Sequence, residues 1–182
     1  MDDTTSTSQW SARQVFPLSD AASAAESLFA QVLTGCAGQM GLQDADTVVD
    51  LLRRGDPVAH HACEQQLARH VAEYLSRLDG GIKAVYRYEW AGGGAHRGAG
   101  ETEAGPTIHL VVLTRQRTAA LISVLAALNR ALSQAFADRW GSTAGAHVLN
   151  VCVIDDADTR NEASYAALLF PPHLEPIPVW QR

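Results

Sequence analysis

Four carboxylates crowd one short stretch of the chain, Asp155, Asp156, Asp158 and Glu162, directly after the apolar run Val148-Leu149-Asn150-Val151-Cys152-Val153-Ile154. Oxygen ligands on a turn are what a hard cation such as Mg²⁺ or Ca²⁺ takes. A second apolar run, Thr107 to Thr114, leads into Arg115 and Arg117, whose guanidinium groups suit an anion. If the two runs are parallel strands, both charged groups lie at their carboxyl ends, where open α/β sheets place ligands. Asp155, Asp156, Asp158, Arg115 and Arg117 are therefore candidates for a cation and anion site, although no general base accompanies them. The competing role is structural, with Asp158 or Thr159 as a helix cap and the arginines neutralising the aspartates by surface pairing.

Seven histidines invite a metal reading, above all His60, His61, Cys63, Glu64 and His70 within one helical stretch. His60 and Glu64, four apart, share a helix face. Yet His60 and Cys63 fall on the stripe of Leu67 and Val71 and so point to the core, whereas His61 faces away. A hydrogen-bonded core histidine and an inert buried cysteine fit better than a metal centre, and no metal and no cofactor is expected. His109 and His147 flank the two apolar runs and are neighbours only if those runs pair. There is no Gly-x-Ser-x-Gly, and no cysteine opens a helix beside a base, where its pKa would fall. The glycine-rich stretch 92–100 resembles phosphate loops only in composition, because it joins strand to strand and lacks the Lys-Ser/Thr step.

The remaining candidates are apolar. Leu174-Glu175-Pro176-Ile177-Pro178-Val179-Trp180 combines an extended backbone with an aromatic anchor, the format of a docking peptide or an added edge strand. Trp180, Val179 and Ile177, with Trp90 on an earlier strand, are the interaction candidates. The alternative is that this segment folds back over its own sheet and shields an edge.

Periodicity supplies the elements that would position these groups. Residues 1–17 are Ser/Thr/Asp-rich and read as a flexible tail. Ala21, Ala25, Leu28, Phe29, Val32 and Cys36 recur at helical spacing from Ser19 onward. A shorter helix at about 44–54 has Asp44 and Asp46 in its first turn and Gly55 past its end. Asp56 and Pro57 open a third, to about Leu78, whose core stripe is His60, Cys63, Leu67, Val71, Tyr74 and Leu78 with Leu75 at its edge. Ile82, Ala84, Tyr86, Tyr88 and Trp90 alternate with Lys83, Val85, Arg87 and Glu89, a strand with one aromatic face. Residues 91–105 form the long tip of a hairpin to a strand at about 107–114, apolar on both faces and therefore central. A helix from Thr118 to about Trp140 and a strand at 148–154 complete a crossover that makes the last two strands parallel. Thr159-Arg160-Asn161-Glu162 is a capping box for a helix ending near Phe170, and the proline-rich end is extended.

The expected fold is α+β: N-terminal helices followed by a β-β-α-β-α unit with a small mixed sheet of three to four strands. Residues 18–182 make one domain, helical over 18–80 and sheet-containing over 81–182, in a chain of 182 residues. Fourteen Lys+Arg against twenty Asp+Glu give a net charge of −6, which opposes nucleic acid and anionic membrane as partners. No run reaches the ~18 uninterrupted apolar residues of a membrane span, and the start lacks a signal-peptide pattern. Three widely spaced cysteines encode neither a disulfide framework nor a zinc ribbon and suit the cytoplasm. Together these features point to a non-enzymatic cytoplasmic interaction or regulatory domain that self-associates, as a homodimer or with a protein partner. The alternative is a small enzyme or ligand-binding protein using the charged ends of the parallel strands.

Overall fold

A computed structural model describes residues 18–90, 107–140, 148–160 and 174–182. In chain order the elements are α1 (Leu18–Met40), α2 (Ala45–Arg53), α3 (Pro57–Leu78), β1 (Ile82–Trp90), β2 (Ile108–Thr114), α4 (Ala119–Trp140), β3 (Leu149–Asp155), α5 (Asp156–Arg160) and β4 (Leu174–Gln181). The class is α+β, with N-terminal helices followed by one mixed four-stranded sheet of order β3-β2-β1-β4. β1 runs antiparallel to β2 and β4, while β2 and β3 are parallel.

Local chemistry sets the helix boundaries. Asp44 Oδ1 accepts from Thr47 N at 2.7 Å to open α2, which ends at Gly55 in the left-handed region, φ +74°. Asp56 Oδ1 accepts from Ala59 N at 2.8 Å to open α3, with Pro57 first in the helix, where it forfeits no donor. Thr118 Oγ1 accepts from Leu121 N and starts α4.

The helices bury one sheet face. Phe29, Val32 and Leu33 of α1, Val48 and Leu52 of α2, Leu67, Val71 and Leu75 of α3, and Leu121, Leu125, Leu128 and Leu132 of α4 share one core with Val85, Leu110, Val112 and Val153. Phe29 and Phe136 meet edge to face at 4.8 Å, and the Arg139 guanidinium lies 5.1 Å over Phe29, fastening α4 to α1. By length and composition alone α4 could cross a membrane, but here its apolar stripe is the one buried in this core. The opposite sheet face has a second, smaller cluster made of strand residues: Tyr88, Val111 and Ile154, with Tyr86, Leu113 and Cys152 beside them.

Several expectations need correction. The helix after β3 starts at Asp156, not at the Thr159 capping box, because Asp155 Oδ1 already accepts from the N–H groups of Ala157 and Asp158. Thr159 lies inside α5 and its hydroxyl donates to Asp156 O. Leu78 is 45% exposed while Leu75 is fully buried, so the buried stripe of α3 is rotated from the one centred on Leu67. The alternation of β1 suggests a strand buried on one face only, whereas both faces are buried: Val85 packs among the helices and Arg87 beside it is only 5% exposed. The tail 1–17, the hairpin tip 91–105, His147 and the helix expected to reach Phe170 lie outside the described residues.

Candidate functional site

The turn that follows β3 brings Asp155, Asp156 and Asp158 beside Arg117 and Lys83, while Glu162 lies outside the described residues. Thr114 and Asp155 sit side by side at the ends of β2 and β3, which brings Arg117 within reach of the acids. The carboxylates of Asp155, Asp156 and Asp158 are each engaged. Asp155 Oδ1 caps α5, and its Oδ2 accepts from Arg117 N at 3.1 Å. Asp158 Oδ2 accepts from Asp155 N at 3.1 Å, and its Oδ1 lies 3.7 Å from the Arg117 guanidinium. Asp156 pairs with Lys83 of β1, a partner that sequence reasoning missed because only the hairpin brings it there. The N–H groups of Asp158 and Arg117 hold the Asp155 carboxyl below the usual carboxylate range. Arg115 gives its backbone N–H to Gly81 O at 2.9 Å. The arrangement is a capped strand-to-helix turn in which the acids are mutually oriented through backbone donors.

The histidine stretch of α3 diverges. His60 is buried and its Nε2 lies 3.1 Å from Leu52 O, joining α3 to α2, whereas His61 lies against Gln65 on the exposed side. Cys63 meets Cys36 of α1 in the core, and this hydrogen bond, with burial, pushes the Cys63 thiol well up. Among the described residues no group of three or more His, Cys, Asp or Glu is placed to hold a metal ion. His109 is exposed on β2, opposite Asn150.

The C-terminal segment is β4, paired to β1 of its own sheet. A register shift opposite Val85 and Tyr86 lets Val179 and Trp180 both pack against the main core. Ile177 stands opposite Arg87, and Trp90 opposite Leu174 at the far end of the pair. The segment thus closes one side of its own sheet.

The two outer edges of the sheet are β4 and β3, and their backbone phases are fixed by single bonds. Arg182 N donates to Lys83 O at 3.1 Å, so Lys83, Val85 and Arg87 turn their amides toward β4. Pro176 and Pro178 stand opposite Tyr88 and Tyr86, the positions where β4 faces outward. That edge therefore lacks donors at both. On the other side Ile108 N donates to Val148 O at 2.9 Å in a parallel pair with Ile108 opposite Leu149. Asn150, Cys152 and Ile154 then turn their amides to β2, and Leu149, Val151, Val153 and Asp155 turn theirs outward. Leu149 N is taken by Asn129 Oδ1 of α4 at 2.9 Å, and Asp155 N by Asp158. Between them the outward N–H and C=O groups of Val151 and Val153 meet no partner among the described residues. Sequence reasoning missed these two valines because which strand is outermost depends on the sheet order.

Compared with protein-family models, with curated proteins and with solved structures, the chain gives no match.

Proposed function

We propose that this chain is a non-enzymatic cytoplasmic interaction or regulatory domain that self-associates through a sheet edge. The observation that carries the reading is the outer edge of β3. Its run Leu149-Asn150-Val151-Cys152-Val153-Ile154 contains no proline, lysine or arginine, the residues with which folded proteins blunt an edge. An unprotected edge is a template for a further strand, and backbone pairing needs no particular side-chain chemistry from its partner. The opposite edge has the protection this one lacks. Three free cysteines, two of them buried, suit a reducing compartment.

The test is the mass of the full chain by light scattering across a concentration series, against a Val151→Pro variant. Proline at 151 removes an outward-facing donor without touching the bonds of β3 to β2, although it also replaces the Val151 side chain that packs against the main core. Wild type is expected to be dimeric and the variant a folded monomer. An Asn150→Lys variant, which adds an edge charge at an exposed position, gives the same answer if proline disturbs folding. A wild type that stays monomeric at every concentration would falsify the proposal.

A further inference from the structure

The pattern along the free edge of β3 has a symmetry of its own. Among the described residues the outward N–H groups of Leu149, Val151, Val153 and Asp155 are capped, without partner, without partner and capped, which is palindromic about Cys152. A twofold antiparallel pair demands such a pattern, because each copy must offer the same edge to the other.

We propose that β3 pairs antiparallel with β3 of a second copy of this chain in the register that puts Cys152 on the twofold axis; this rests on the self-association reading above. Val151 of each copy then exchanges both hydrogen bonds with Val153 of the other, so two donors from each copy make a ladder of four bonds. The neighbouring registers fail on the same accounting. Centring on Val151 sets Val153 against Leu149, whose N–H already belongs to Asn129. Centring on Val153 sets Val151 against Asp155, whose N–H belongs to Asp158. Either would leave a carbonyl without its donor.

The register has a chemical consequence. The Cys152 amide turns toward β2, so the two Cys152 residues form a non-hydrogen-bonded pair, in which Cα atoms stand about 4.5 Å apart. A disulfide spans Cα separations of about 4.4–6.8 Å. Cys36 and Cys63 are fully buried, leaving Cys152 as the partly exposed thiol. With oxidised glutathione the chemistry balances. One Cys152 thiolate attacks the reagent disulfide and expels one glutathione thiolate, giving a mixed disulfide. The second copy's Cys152 thiolate then displaces the other glutathione. Two protein thiols lose two protons and two electrons, and two glutathione thiols form.

The experiment treats the full chain with oxidised glutathione at mildly alkaline pH and follows covalent dimer on non-reducing gels, alongside sedimentation of the untreated protein. Three chains are compared: wild type, Cys152→Ser, and Cys152→Ser/Asn150→Cys. The expected result is a sedimenting dimer for all three, with at least a tenfold faster covalent linkage in wild type than in either variant and a Cys152–Cys152 peptide by mass spectrometry. In the proposed register position 150 faces Ile154 of the other copy, out of disulfide reach of its own equivalent. A sedimenting dimer that links as fast through the relocated cysteine, or does not link through Cys152, overturns the register while leaving self-association standing. Absence of any sedimenting dimer overturns both.

Discussion

The two edges of this sheet are handled in opposite ways. β4 comes from a proline-rich end whose Pro176 and Pro178 turn outward, and its Trp180 and Val179 are anchored in the core. β3 carries no such residues, and among the described residues its outward N–H groups are taken only at its ends, by the side chains of Asn129 and Asp158. One edge is interrupted at two outward positions, where Pro176 and Pro178 supply no donor, whereas the other keeps a short window without partners among the described residues. The contrast teaches that an edge is protected by its backbone inventory as much as by its side chains.

The largest expected effect comes from breaking the β4 edge. Trp180→Ala removes a partly buried ring from the core beside Val85, and about 2 kcal/mol of unfolding free energy should be lost, below the usual range for a fully buried tryptophan. Urea denaturation measures it. The dimer should persist in this variant, since β3 lies on the far side of the sheet; its loss would mean that the wrong edge has been assigned.

A smaller effect concerns the closed end of β3. The Asp155 carboxylate is favoured by backbone donors, so its folded-state pKa lies below its unfolded value. Its stabilising contribution is fully present above the ordinary aspartate pKa of about 3.9 and is lost as pH falls through the lowered value. Asp155→Asn should therefore lower the melting temperature at neutral pH, and the difference from wild type should shrink as the pH is taken well below 4. A difference that is constant across that acid range would contradict the capping role.

Much of this fold is legible in the sequence because it is written locally. Asp44, Asp56 and Pro57 mark helix starts by their own bonds, and the both-faces-apolar Ile108 to Leu113 marks a central strand. What the sequence conceals depends on distant partners. The Thr159 box matches a real motif, but Asp155 reaches the first turn of α5 earlier and displaces it. The alternation of β1 suggests a strand buried on one face only, yet Arg87 is buried too. At the candidate site, the gathering of Asp155, Asp158 and Arg117 follows from a readable parallel crossover, whereas the pairing of Lys83 with Asp156 requires β1 beside β2. The open window at Val151 and Val153 is least legible of all, since it exists only once β3 is outermost and Asn129 has taken Leu149.

The most direct test of the open edge is amide hydrogen exchange of Val151 and Val153, followed by NMR over a range of protein concentrations. Their protection should rise with concentration while that of Asn150 and Cys152, already bonded to β2, and of the β4 amides stays unchanged. Protection at Val151 and Val153 that is the same at every concentration would contradict the assignment of β3 as the self-pairing edge.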